Sequence, residues 1–189
     1  MYIIELEVED EHGNSLTAIV PVRGKNDRMP TLLINEIRTD ASKPKYEYIE
    51  FKTFSAGNLG GIAVFNDTGG LEVPLFIFPP CEVEAGEYIV LHLRTIDEGW
   101  VQETESIQES QGGESLDWAR DFWIEGSVKR TRKNDFIILM DQDEQILDAI
   151  VMADYDASEW KNKKIKEATL IMAEQGAWLA VDGPIGPSD

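Results

Sequence analysis

The stretch "FIFPPCEVEAGEYIVLHL", Phe76 to Leu93, decides the fold class. Its first part is an apolar, strand-like run that stops at Pro79-Pro80. Proline cannot donate to a β-ladder, so a strand must end or turn an edge there. "EAG", Glu84 to Gly86, then reads as a tight turn that reverses the chain into a second strand, "EYIVLHL". Two strands separated by a rigid break point to an all-β protein whose chain turns a corner between strands.

Outward from that corner the same signals repeat. "TLLINEI", "YEYIEF", "IAVFN" and "VPLFIF" are short β-rich runs punctuated by Gly, Asn, Asp and Pro, the spacing of an all-β sandwich. Helical periodicity is absent through Leu93. "DFIILMDQDEQILDAIV" is the clearest hairpin, with Phe136 to Met140 and Ile146 to Val151 flanking an acidic turn. At the N-terminus, Ile4, Leu6 and Val8 alternate with glutamates, and Leu16, Ala18, Val20 and Val22 repeat the period. Residues 1–23 are therefore predicted to form a hairpin. A lone hairpin is marginal in water, so this one is either an added edge of the sandwich or the tail of a preceding β domain.

Two segments break the β pattern. Ile96 to Leu116 carries six acids and no base, and is expected to be a surface insertion without fixed structure. It runs into "DWARDFWIEG", where Trp118 and Phe122 stand four apart as on one helical turn. That aromatic cluster is expected to fold back and plug an end of the core, and the whole insertion to span about 96–134. Residues 153–189 should hold a helix and a tail. The helix is predicted from about Ala157 to Gln175, with Asp156 as N-cap, Glu159 at capping-box spacing and Gly176 as its stop. Ile165, Ala168 and Met172 form the stripe that would lie on the sandwich.

The block "LLINEI…YEYIEFKTFSAGNLGGIAVFND…FIFPPCEVEAGEYIVLHL…NDFIILMDQDEQILDAIV" resembles the lamin-tail domain. Asn35-Glu36, "EYIEF" (Glu47 to Phe51), "LGG", "FPP" with "AGEY", and the closing hairpin carry the likeness, which covers roughly residues 31–152. The resemblance implies an immunoglobulin-like Greek-key β-sandwich, found at the C-terminus of nuclear lamins and in exported bacterial proteins. It implies no catalytic residue set. The acidic insertion, the C-terminal helix packed on the sandwich and the N-terminal hairpin depart from the family's pattern.

Composition narrows the function classes. Seventeen bases against 36 acids give a formal charge of −19, which repels phosphate backbones and makes nucleic acid an unfavourable partner. No apolar run is long enough to span a bilayer. One cysteine, Cys81, excludes an intrachain disulfide framework and a cysteine zinc site. "DQDEQILD" places Asp141 and Asp143 well for calcium, but Ile146 and Met152 stand where an EF-hand needs Gly and Glu, so a hairpin turn is the better reading. Of the two histidines, His12 falls in a turn, and His92, between Leu91 and Leu93, is expected to face solvent or an adjacent loop; no G-x-S-x-G surrounds any serine. "KRTRK", Lys129 to Lys133, reads as protection of an edge strand. No catalytic residue, metal ligand or cofactor is assigned.

Trp100, Trp118, Phe122 and Trp123 remain as candidate binding residues, weighed against core plugging, because aromatics are favoured interface anchors. The expected function is a non-catalytic recognition or scaffolding module of a larger exported bacterial protein. It would bind protein or glycan through the loops around Gly99 to Lys133. The alternative is an accessory domain that positions a secreted nuclease or other hydrolase encoded in the same gene. The expected location is extracellular, periplasmic or at the cell surface, which supposes a signal peptide outside this sequence.

Overall fold

The computed structural model describes residues 2–22, 24–39, 42, 45–153 and 159–178. These residues form an all-β protein with one short helix. The strands are β1 (Tyr2–Glu9), β2 (Ser15–Val22), β3 (Leu32–Arg38), β4 (Tyr48–Thr53), β5 (Gly57–Asn58) and β6 (Ala63–Asn66). They continue with β7 (Phe76–Ile77), β8 (Glu82–Val83), β9 (Tyr88–His92), β10 (Arg120–Trp123), β11 (Asp135–Met140) and β12 (Ile146–Met152), followed by α1 (Lys163–Glu174). Two four-stranded sheets, in the orders β10-β9-β4-β3 and β12-β11-β6-β7, carry the body of the chain. Their inner faces share one core: Ile49, Phe51, Ile89 and Leu91 from the first sheet meet Val64, Ile137 and Leu139 from the second.

The double proline sits where the chain passes from one sheet to the other. β7, before it, belongs to the second sheet, and β9, after it, belongs to the first. Short β8 bridges the crossing by pairing with β5. Gly86 takes φ +89 in the Glu84–Glu87 turn, a conformation open to glycine at little cost, and Glu87 N–H closes the turn on Glu84 O at 3.3 Å. Phe78, just before the prolines, is fully buried. Its ring lies edge-on to Phe51, Phe76 and Phe122 at 5.7, 5.2 and 5.2 Å.

The second sheet is covered on both faces, which is why β11 is apolar without interruption from Phe136 to Met140. Ile137 and Leu139 point into the shared core, while Phe136, Ile138 and Met140 meet Ile165, Ala168 and Met172 of α1. The β11–β12 turn is built on Asp141, whose Oδ1 accepts from Asp143 N and Gln145 N at 2.8 and 2.9 Å.

Three expectations need correction. The helix starts at Lys163 with Asn162 as N-cap, its side chain accepting from Ile165 N. Asp156 and Ala157 lie outside the described residues, and Glu159 is exposed and precedes the helix. The stop at Gly176, φ +75, is as expected. "KRTRK" does not guard a strand edge: it lies in the loop before β11, where Arg130 N and Thr131 N donate to buried Glu47 Oε1 at 2.8 and 2.7 Å. Nor is the N-terminal hairpin an added edge of the sheets, since among the described residues β1 and β2 pair only with each other.

The start of α1 is tied to the second sheet through acids. Asn162 Nδ2 and Arg132 Nη1 donate to the two oxygens of Asp67 at 3.0 and 3.1 Å. Asp67 N in turn donates to Asp135 Oδ1 at 2.9 Å. Burial pushes Asp135 up from 3.8 to about 6, the nearby Asp67 charge adding to the rise, despite backbone N–H bonds from Asp67, Phe136 and Arg132 that pull it down. The folded state therefore holds this proton more tightly than the unfolded chain. Stability from this group is greatest below pH 4, falls as pH rises from about 4 to 6, and is lower by up to about 3 kcal/mol above that window. Urea unfolding of the wild type and Asp135→Asn across pH 3.5 to 7 should show a falling slope in the first that is missing in the second. Parallel pH profiles would remove Asp135 as its source.

Candidate functional site

The site is built on the outer face of the first sheet. Period-two alternation sends Ile49 and Phe51 inward and leaves Tyr48, Glu50 and Lys52 on the outside of β4. On β9, Tyr88, Val90 and His92 share that outer face, each register-paired with one of them. One end of the face is covered and the other is open.

The cover is the acidic insertion. β10 runs parallel to β9, and parallel neighbours need a crossover of a dozen residues or more. Residues 93–119 are that crossover, with a fixed path rather than the structureless surface loop expected. "RDFW" is correspondingly a strand, not a helical turn, with all four residues buried. Glu103 is the pin: fully buried, it accepts from Glu109 N and Ser110 N on Oε1 at 2.8 and 2.9 Å, and from Asp121 N on Oε2 at 2.7 Å. Gln102 caps the sheet edge by exchanging two bonds with the Trp123 backbone. Gly112 lies so close that a Cβ would stand 2.7 Å from the Trp123 ring. Arg38 and Tyr46 N hold Glu114 at the far end of the insertion.

Beneath the cover His92 is 1% exposed, so of the two expected positions, solvent or an adjacent loop, it takes the second. Its Nε2 stands 2.9 Å from Asp121 Oδ1, and its ring stacks on Trp123 at 3.8 Å and 12°. The Asp121–His92 pair has the spacing of the base half of a triad. The buried Ser110 hydroxyl, however, is taken by Trp123 Nε1 and Ser115 Oγ, and the imidazole lies flat under an indole. This geometry fastens strand to strand. Cys81 is likewise sealed: burial pushes its thiol up to about 11, so it is neither thiolate nor accessible.

The four candidate aromatics separate. Phe122 belongs to the shared core and Trp123 to the buried stack, at 0% and 1% exposure, so both leave the binding set. Trp100 is half-buried against Gly112. Trp118 is 55% exposed and meets Tyr88 edge-on at 5.3 Å and 85°. Tyr88 continues a register row across the open end of the face: Leu33 of β3 pairs with Lys52 of β4, and Lys52 pairs with Tyr88 of β9. Lys52 Nζ lies 4.8 Å above the Tyr88 ring and 3.0 Å from its hydroxyl, and Leu33 is 37% exposed. The row offers an apolar end, a cation and an aromatic ring on a rigid sheet, with the Trp118 indole set against it from the turn before β10, the chemistry that anchors protein surfaces and stacks on sugar faces. Sequence reasoning found Trp118 and missed Leu33, Lys52 and Tyr88. The alternation of "EYIEFKT" places Lys52 on the outside, but only the strand register aligns the three.

Among the described residues no group of His, Cys, Asp or Glu is arranged to hold a metal ion, and no helix is long and apolar enough to cross a membrane.

Fold and site together define a β-rich module that presents an aromatic row on one sheet. Residues 30–189 match the TP_1001_2nd family, described as a protein second domain, and the chain belongs to that family. It is 29% identical over 170 residues to an uncharacterized protein of Treponema pallidum (strain Nichols). That similarity takes in 86% of this chain and 43% of the relative, so the chain spans less than half of that protein's length.

Proposed function

We propose that this chain is a non-catalytic recognition module, an immunoglobulin-like Greek-key sandwich of lamin-tail type within a larger exported bacterial protein, and that it binds protein or glycan. The observation that carries the reading is Trp118, a large aromatic left half in water in the turn before β10, edge-on to Tyr88, whose ring Lys52 covers at the open end of the sheet. Exposed indoles packed against a rigid sheet lose little entropy on binding and concentrate interface energy. The formal charge of −19 speaks against a nucleic-acid ligand. A second reading, an accessory domain that positions a hydrolase in the same polypeptide, draws support from the share of the relative that lies beyond the matched region.

Screening the chain against a glycan array and a displayed peptide library provides ligands for the test. Trp118→Ala should weaken the selected ligands by at least tenfold, roughly 1.4 kcal/mol or more, with little change in melting temperature. Ligands that bind the variant undiminished would place recognition elsewhere on the molecule.

A further inference from the structure

The N-terminal hairpin has two unlike faces. Register pairs Ile4 with Val20, Leu6 with Ala18 and Val8 with Leu16, so these six side chains share one face. Glu5, Glu7 and Glu9 lie on the other with Thr17 and Ser15, and Ile3 and Ile19 stand among them in water. This is the pattern of a strand pair with one side in water and the other against a core. Yet Leu6, Val8 and Leu16 are each at least half exposed, and the hairpin hydrogen-bonds to no other described strand. It also lies outside the family match, which begins at residue 30.

The segment that follows is firmly seated. Lys25 Nζ meets Asp143 at 2.6 Å, Asn26 N donates to Gln142 Oε1 at 2.7 Å, and Asn26 Nδ2 donates to Asn58 O at 2.6 Å. The hairpin thus emerges from a fixed point on the sandwich with its apolar face uncovered.

A second copy is a poor cover. Two eight-residue strands present a face of roughly 250 Å², so two hairpins back to back bury about 500 Å², well short of the roughly 1,200 Å² of a stable association. A neighbour in the same polypeptide needs less area, because covalent linkage holds it at an effective concentration of about a millimolar. The family is a second domain, and 57% of the T. pallidum relative lies outside the matched region (100% less 43%). We infer that the hairpin closes the sheet of a first domain of the same protein, whose core covers the Ile4, Leu6 and Val8 face. Residues 25–28 then fasten that domain to the second.

Hydrogen exchange of amides 3–9 and 15–22, compared between this chain and the full product of its gene, tests the inference. In the longer protein these amides should exchange at least about 100-fold more slowly. Leu6→Asp in that protein should return them to the rates of the shorter chain, while β11 amides stay protected. Glu7→Lys, on the watery face, should keep the protection and shows that a charge alone is not the cause. Equal hairpin exchange in both proteins overturns the inference, as does a gene product that opens at Met1. So does sedimentation of the shorter chain as a dimer whose hairpin protection rises with concentration, which makes the second copy the cover.

Discussion

Phe78→Ala should destabilise the chain by about 3–5 kcal/mol and lower its melting temperature by roughly 6–20 °C. The side chain is fully buried and touches rings from both sheets, namely Phe51 on β4 and Phe122 on β10 from the first and Phe76 on β7 from the second. Its backbone is engaged too, with Phe78 N donating to Ile62 O at 2.9 Å and Phe78 O accepting from Gly61 N at 3.0 Å. The two prolines that follow stiffen this corner, so the site cannot collapse freely into the void, and a void that does not collapse is costly. Phe78→Leu keeps much of the volume and should cost less than half as much. Phe54→Ala removes a ring of the same size that is mostly exposed and should stay within about 0.5 kcal/mol. Chemical denaturation of the three variants ranks them directly. A loss below about 1 kcal/mol for Phe78→Ala would mean that the corner is not the hinge on which the two sheets close.

What could be read from the chain beforehand follows from where each residue finds its partners. "DFIILM" announces a strand because both its faces meet apolar surface, and "FPP" announces a corner because proline's limits are local. The stripe of Ile165, Ala168 and Met172 is equally legible, but its starting point is not. Asn162 and Asp156 are both capping types, and no acid marks the first turn of α1. "RDFW" hides as a strand because Arg120 and Asp121 look too polar to bury. They are buried on account of distant groups: Arg120 Nε reaches Glu87 at 2.6 Å, and the Asp121 carboxylate meets His92 Nε2 and accepts from Leu116 N. The open row of Leu33, Lys52 and Tyr88 is hidden for a related reason, since each belongs to a different strand and only register brings them side by side, with Trp118 joining through its ring contact with Tyr88.

Glu103→Ala should release the crossover while leaving the two sheets folded. The carboxylate is the acceptor for three buried backbone N–H groups, from Glu109, Ser110 and Asp121. Nothing in a 21-residue segment with so little apolar content can replace it. Removing an acceptor strands its donors at about 1–3 kcal/mol each, more than enough to make local detachment the cheaper response. Global stability should therefore fall by only about 3–5 kcal/mol, while exchange of the Glu109, Ser110 and Asp121 amides accelerates at least 100-fold. Cys81 offers an independent readout, because its Sγ lies 3.8 Å from Glu103 O and is sealed in the native fold. A thiol reagent that is slow on the wild type should label the variant quickly without denaturant. Glu103→Gln keeps an oxygen for two of the donors but sets an amide NH₂ against the third, so it should fall between wild type and alanine on every measure. Unchanged exchange in Glu103→Ala would transfer the anchoring role to Gly112 on Trp123 and to Gln102 at the strand edge. In that case Gln102→Ala becomes the variant that frees the loop.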